Sequence, residues 1–439
     1  MAQLHTAKKQ DASDSSRSSR SSSDFLKHLF VPVYMPAILF STGEGALIPV
    51  VPLTANNLGA PLAISGLISG LLMIGVVLGD IPSSLLVKRF GEAFAMRTAA
   101  IMAIVAAIIC WKAPNLVVLA VGVLAIGIAS ATFNLARHAF LTEWTPLWFR
   151  ARAMSLLGGT TRIGNFIGPF LASPVIAFIG IQSVYWVHVV MCVSVLVLLA
   201  IMQDPEAIIA RDSEAKVAHD KRMEFARQAQ EKAVLQSQHE GGKQKKQLAI
   251  VTYFSILVRM GTAAGILQMM RAARQVILPL WGTQLHIPEA RIALITGIAG
   301  AVDLSLFYTS GQVMDKFGRK WAAIPVLLGI GLSFIAMPLA HQEWSYVVVA
   351  ICISLANGLG SGIVMTLGSD CAAKFAPEDM PGFLGGWRVF TDSGSAIGPL
   401  GISGVTALAG LPVAVIVMGA AGLLGAYMMQ RYIPRYVGR

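Results

Sequence analysis

Long apolar stretches alternate with short polar ones along this chain. Twelve runs dominated by Leu, Ile, Val, Ala, Gly and Phe fall near residues 32–54, 64–87, 96–112, 115–140, 153–178, 183–203, 255–281, 291–312, 321–340, 344–369, 383–408 and 411–430. Each is close to the roughly 20 residues an α-helix needs to cross a hydrocarbon core of about 30 Å. A helix satisfies its own backbone polar groups where water is absent. The pattern predicts an all-α membrane protein with twelve transmembrane helices. Polar residues concentrate in a Ser-rich start over 1–28, a mixed-charge insertion over 204–248 and a short tail over 433–439. The start lacks the apolar core and small-residue cleavage site of a secretory signal and reads as a disordered cytoplasmic tail. The insertion suits a cytoplasmic amphipathic helix ending at Gly241-Gly242. It separates two halves of six spans, 29–203 and 249–432.

Composition supports a membrane location: 55% of the 439 residues are hydrophobic and 13% are charged, against roughly 25% charged in a soluble domain. The net charge of +11 could suit nucleic acid, but its distribution does not. Lys88, Arg89, Arg97, Arg150, Arg152, Lys316, Arg319, Lys320, Lys374, Arg431, Arg435 and Arg439 all fall in alternate loops or at the C-terminus, with Lys112 and Arg291 as the main exceptions. This positive-inside asymmetry places both termini in the cytoplasm, with the plasma membrane, a bacterial inner membrane, as the expected site. Cys110, Cys192, Cys352 and Cys371 have neither metal nor redox spacing, and the histidines lack zinc spacing. No nucleophile has a recognisable base partner. Neither an enzyme nor a metal or cofactor is expected. Gly358-Leu-Gly-Ser-Gly362 lies inside an apolar span without a preceding strand, so it reads as helix packing rather than a nucleotide loop.

The halves are related in sequence. An offset of 227 residues carries Phe90-Gly91 onto Phe317-Gly318, Pro52 onto Pro279, Pro61 onto Pro288, Gly70 onto Gly297 and Glu143 onto Asp370. Ile167-Gly-Pro and Ile397-Gly-Pro match at an offset of 230. Repeats of this kind point to a transporter with a site near the midplane between the halves.

The loop Gly311-Gln-Val-Met-Asp315-Lys316-Phe-Gly318-Arg319-Lys320 resembles the loop signature of the major facilitator superfamily. Its first-half counterpart, Ser84 to Glu92, departs from that pattern, with Lys88 in place of the acid. The resemblance implies a conformational lock in which Asp315 meets the start of span five near Ala153 and Arg319 or Lys320 meets Asp370. A carboxylate is favoured at such a helix N-terminus. Gly164-Asn-Phe-Ile-Gly168-Pro169 in span five resembles a motif of the family's antiporters, although Ala172 and Ser173 replace its last two glycines. Its glycines permit close helix approach, its proline favours a bend, and Gly394 to Pro399 repeats the pattern. The stretch AVGVLAIGIAS in span four lacks the Arg that many proton-coupled exporters of the family carry there.

Ionisable residues inside spans are costly and therefore functional candidates. Glu44 and Arg271 occupy equivalent positions of the halves, and Arg274 follows on the same helical face. The resemblance implies that spans one, four, seven and ten line a central cavity, making Glu44, Arg271 and Arg274, with Asn134, candidates for substrate or proton binding. Spans two, five, eight and eleven would form the interface between halves, where equal depth predicts the ion pairs Asp80–Arg388 and Arg162–Asp303, with Asp392 nearby.

The resulting expectation is a monomeric secondary transporter working by alternating access in the lipid bilayer. It would export a small amphipathic molecule against a proton carried by Glu44, whose carboxyl in an apolar cavity can hold a proton. The alternative is transport of an organic anion or polar metabolite, which Arg271 and Arg274 would complement. A reading from another class is a membrane receptor or scaffold that does not transport.

Overall fold

The computed structural model describes residues 30–145, 147–201, 253–377 and 379–436. The predicted tail over 1–28 and the amphipathic helix within 204–248 lie outside the described residues. Among the described residues twelve helices, two of them broken, follow one another: α1 Met35–Asn57, α2 Leu62–Phe90, α3 Glu92–Trp111, α4 Leu116–Trp144, α5 Leu147–Phe178, α6 Val184–Ile201, α7 Thr262–Gln284, α8 in two segments (Glu289–Ser305 and Phe307–Phe317), α9 Lys320–Ala336, α10 in two segments (Glu343–Leu359 and Ile363–Phe375), α11 Met380–Ala409 and α12 Leu411–Tyr436. Because the spans run alternately up and down, residues 30 and 436 lie on one face, here the terminal face. The opposite one is the far face.

Among the described residues eight helices are long and apolar enough to cross a membrane, or nine with the bent α8 counted as one span. The three that fall short, α5, α7 and α11, carry Arg162, Arg271 with Arg274, and Arg388 with Asp392. Asp303 lies on the bent α8.

The two Phe-Gly turns explain part of the loop signature without invoking function. Gly91 (φ 81°) and Gly318 (φ 93°) lie in a left-handed region that glycine tolerates. Their N–H groups donate to the carbonyls of Val87 and Met314 at 2.9 and 3.1 Å, closing α2 and α8 in the same way.

The spans predicted near 291–312 and 344–369 are not single helices. The α8 segments meet at Leu306 with a 42° bend. α10 breaks at Gly360-Ser361-Gly362, where Gly362 adopts φ 81°. Gly358 packs as expected, since a Cβ there would lie 2.8 Å from the Cβ of Leu306. The rest of the glycine cluster interrupts the helix instead of merely packing it.

Glycines also let helices touch backbone to backbone. A Cβ on Gly164 would lie 2.4 Å from Ser41, and one on Gly168 2.3 Å from the backbone nitrogen of Ala46, so α5 crosses α1 at contact distance. Gly394 and Gly398 do the same for α11 against α7, at 2.1 Å from the Gly265 carbonyl oxygen and 2.6 Å from that of Met269. The motif serves both halves alike.

The halves meet through α2 on α11, α5 on α8 and α1 on α7. The contact is tightest toward the far face, where Asn57 Nδ2 donates to Glu289 Oε1 at 2.6 Å and Ser173 Oγ donates to the Ala290 carbonyl at 2.8 Å. Between α2 and α11, a Cβ on Gly66 or Gly70 would sit 2.8 Å from Ser403 Oγ or 2.9 Å from Pro399 Cβ. Farther along the same helices, toward the terminal face, Asp80 and Arg388 are exposed.

Candidate functional site

At mid-depth, α1, α5, α7, α8 and α10 enclose a cavity of about 590 Å³, including the part open to solvent. Its apolar lining includes Ile48, Pro169, Leu278 and Pro279. Its charged lining is Arg162, Arg274 and Asp303. Asp303 Oδ1 accepts from Arg162 Nη1 at 3.3 Å and from Asn357 Nδ2 at 2.9 Å. Its Oδ2 stands 3.6 Å from Arg274 Nη2. Side-chain exposures of 20% for Arg162, 17% for Arg274 and 13% for Asp303 keep the cluster within reach of water while largely enclosed. The Arg162 guanidinium also lies 5.1 Å from the ring centroid of Phe307, just beyond the bend in α8.

The predicted pair of Arg162 and Asp303 is therefore in contact, but as part of a larger cluster. Arg274, expected to face substrate, shares the same carboxylate. Arg271 does not line the cavity. Its Nε donates to Asn357 Oδ1 at 3.0 Å, its Nη1 to Gln268 Oε1 at 3.0 Å and its Nη2 to the Gly360 carbonyl at 2.8 Å. That carbonyl, at the break in α10, also accepts from the Ile363 N–H at 3.1 Å, and a guanidinium fork can reach it while holding two other acceptors. Arg271 thus braces the break, and Asn357 links it to Asp303. The cluster holds three guanidinium groups and one carboxylate.

Other predicted residues lie elsewhere. Asp80 and Arg388 make no ion pair within 4 Å, but the charge of Arg388 acts on Asp80 across the α2–α11 interface, and both act on Asp392. Asp392 is half-buried one helical turn beyond Arg388, where Thr391 Oγ1 donates to its Oδ1 at 3.5 Å. Arg319 Nε donates to Asp370 Oδ2 at 2.9 Å, which makes Arg319 rather than Lys320 the partner of that acid. The Lys316 ammonium lies 5.6 Å from the Phe317 ring centroid. Asp315 has no bonded partner among the described residues, and the Ala153 carbonyl accepts from Tyr34 Oη at 3.2 Å. The side chains at the start of α5, residues 147–152, lie outside the described ones. The side chain of Glu143 lies outside the described ones. A Cβ on Gly311 would meet nothing within 4 Å.

Glu44 belongs to a second polar centre inside the first half. Its charge acts on Arg137 of α4, which is 3% exposed. Arg137 Nη2 donates to Thr161 Oγ1 at 3.1 Å, while its Nε and Nη1 have no hydrogen-bond partner. Asn134 is half-buried nearby, its carbonyl 2.7 Å from His138 Nδ1. None of these side chains lines the cavity.

Inspection of the spans for charge passes over Arg137, and with it Gln268, Ser354 and Asn357. The signal for Arg137 is a basic residue still within the apolar run of span four. That for Ser354 and Asn357 is a pair of polar residues one turn apart within span ten.

Comparison with known proteins places this arrangement. The profile of the Major Facilitator Superfamily matches residues 34–399 and 260–438. The chain is 32% identical over 136 residues to a staphyloferrin B transporter of Staphylococcus aureus, a stretch covering 30% of this chain and 31% of that one. It is 20% identical over 172 residues, 39% of this chain and 25% of the relative, to an uncharacterised transporter of the same type from Mycobacterium tuberculosis. The alignments thus span under a third of each curated relative. The fold matches the xylose transporter XylE from E. coli in a partially occluded inward-open conformation, with TM-score 0.66 and 14% identity over 93% of this chain and 99% of that one. It also matches a POT family transporter, with TM-score 0.68 and 12% identity over 94% and 96% of the two chains.

Proposed function

This chain belongs to the major facilitator superfamily of transporters, and on that premise we propose that it is a secondary transporter whose central cavity takes an organic anion. The carrying observation is the surplus of guanidinium groups around the cavity: Arg162 and Arg274 line it and Arg271 backs it, against the single carboxylate of Asp303. Charged groups at this depth are expensive to keep. An anion offsets that cost, whereas a cationic drug-like molecule would add to it. Guanidinium forks also match the planar geometry of carboxylates and phosphates. The apolar lining residues Ile48, Pro169, Leu278 and Pro279 suit the carbon skeleton of such a molecule.

Alternating access follows from the same arrangement. The halves are closed toward the far face and parted toward the terminal face. Lys88, Arg89, Lys316, Arg319, Lys320 and Lys374 lie on the terminal face, which we orient toward the cytoplasm. The structure is then inward-facing, and the outward-facing state is where Asp315 would meet α5.

A second reading retains export against protons through Glu44, and the buried Arg137 beside that acid favours it. The two readings are separated by thermal unfolding of the purified protein with size-matched carboxylates, neutral compounds and amines. The anion reading expects stabilisation by carboxylates alone, lost in Arg274→Gln. Stabilisation by amines that survives Arg274→Gln would favour the exporter.

A further inference from the structure

A second pocket adjoins the central cavity and bears on what the anion carries. We propose that the substrate is an amphiphilic anion, a carboxylate bearing an apolar chain, whose head meets Arg162 and Arg274 and whose chain enters the pocket between α1, α2, α7 and α11. The proposal rests on the anion reading of the cavity and adds the class of molecule and the subsite that selects it.

Three observations carry it. First, the two spaces share walls: Ile48 of α1 and Gln275 of α7 line both. Second, they differ in chemistry. The cavity presents two arginines and an aspartate, whereas the pocket, of about 360 Å³ including the part open to solvent, is lined by no charged residue. Leu47, Val51, Leu72, Met73, Val276 and Pro399 make most of its surface. Of its two polar residues, Ser69 donates its hydroxyl to the Ser65 carbonyl of its own helix at 3.0 Å. A space of this kind holds water poorly and favours apolar surface. Third, the other polar residue is Gln275, whose side-chain amide has no hydrogen-bond partner among the described residues. It stands where a charged head would join an apolar chain, and its NH₂ group can donate to a carboxylate oxygen.

The pocket also spans the halves. α1 and α2 belong to the first and α7 and α11 to the second, and Pro399 in its wall is the residue that meets Gly70 where α2 and α11 touch, at 2.9 Å from a Cβ there. A chain lodged in it lies against a contact that alternating access would part. Apolar burial is worth about 0.8 kcal/mol per methylene, so each methylene that leaves water for the pocket should tighten binding about fourfold until the pocket is full. A second charge at the far end of the chain would have to shed its water in an uncharged space. The pocket therefore selects for chain length and against a charged chain end, while the guanidinium groups select the head.

The test measures Kd by calorimetry on the full chain in lipid nanodiscs, with empty nanodiscs as the blank for partition into lipid. The probes are acetate, butyrate, hexanoate and octanoate, with adipate and hexylamine matched to hexanoate in length. Wild type is expected to bind more tightly along the series, by about fourfold per methylene until the pocket is full, and to bind adipate about tenfold or more weakly than hexanoate. Ala272→Leu and Met73→Phe add bulk to the pocket and should lower the ratio of hexanoate to acetate affinity. Arg274→Gln should weaken every carboxylate and keep that ratio. A ratio near one in a wild type that binds acetate, the result expected if a bilayer lipid chain fills the pocket instead, would overturn the inference and leave the anion reading standing. So would an unchanged ratio in both filled variants, or adipate bound as tightly as hexanoate. If the filled variants do not fold, the wild-type series and adipate decide alone. Failure of every carboxylate to bind, or hexylamine bound as tightly as hexanoate, would remove the anion reading and this inference with it.

Discussion

Exchanging the charges of Arg162 and Asp303 separates a simple pair from the cluster described here. For an isolated pair, Arg162→Asp with Asp303→Arg restores the attraction that either single change destroys. In this structure Asp303 also faces Arg274 at 3.6 Å, close to its 3.3 Å from Arg162. With an effective dielectric of about 20, each contact corresponds to about 5 kcal/mol of Coulomb energy. The exchange preserves the first term and reverses the second. An attraction of about 5 kcal/mol becomes a repulsion of similar size, offset in part because residue 162 then attracts Arg274. The net change is unfavourable by several kcal/mol, of the order of a domain's whole stability. The doubly exchanged protein should therefore express poorly and melt well below both wild type and Asp303→Asn. Adding Arg274→Gln removes the repulsion and should recover most of the loss. Thermal unfolding in detergent, followed by intrinsic fluorescence, reads all four proteins. A double exchange as stable as wild type would refute the three-body description.

Other expectations follow from named contacts. Arg271→Gln removes the guanidinium bonds to Asn357 and to the Gly360 carbonyl, which then keeps the Ile363 N–H as donor, and should cost about 1–3 kcal/mol; Arg271→Lys should not restore the melting temperature, because an ammonium cannot span all three acceptors. Gly168→Val places a side chain against the Ala46 backbone and should lower the melting temperature sharply, while Gly404→Ala, with nothing within 4 Å, should not change it. Gly311→Ala adds a Cβ that meets nothing within 4 Å in this state; if the loop closes against α5 in the other state, it should leave folding intact and slow transport, as seen by comparing unfolding with flux. Cysteines placed at Asp80 and Arg388 should react with a water-soluble maleimide in the inward-facing state and be shielded when the terminal face closes, and reactivity unchanged throughout turnover would contradict the proposed motion.

The fold was legible in the sequence because apolar run length is a strong constraint in lipid. The α2 and α8 turns were legible because Phe-Gly recurs at Phe90 and Phe317. Arg162 and Asp303 could be paired from depth alone, since α5 and α8 meet at mid-depth where the halves stay in contact. Depth also brought Asp80 and Arg388 near enough for their charges to interact, but it does not fix how closely two helices approach, and the pair makes no ion pair within 4 Å. The task of Arg271 was hidden for another reason. Its acceptor at Gly360 is a backbone carbonyl beside a helix break, and the glycine cluster at 358–362 could equally have packed a continuous helix. Arg137 was overlooked because it stands near the polar end of α4, where a basic residue ordinarily marks topology.

The most direct test of the anion-binding cavity is counterflow in proteoliposomes preloaded with one compound and diluted into a radiolabelled trace of the same compound, using carboxylates, neutral analogues and amines of equal size. The account predicts accumulation of the labelled carboxylate alone, abolished by Arg274→Gln and Arg162→Gln in proteins that still insert and melt normally. Accumulation of amines, or carboxylate counterflow unchanged in both variants, would contradict it.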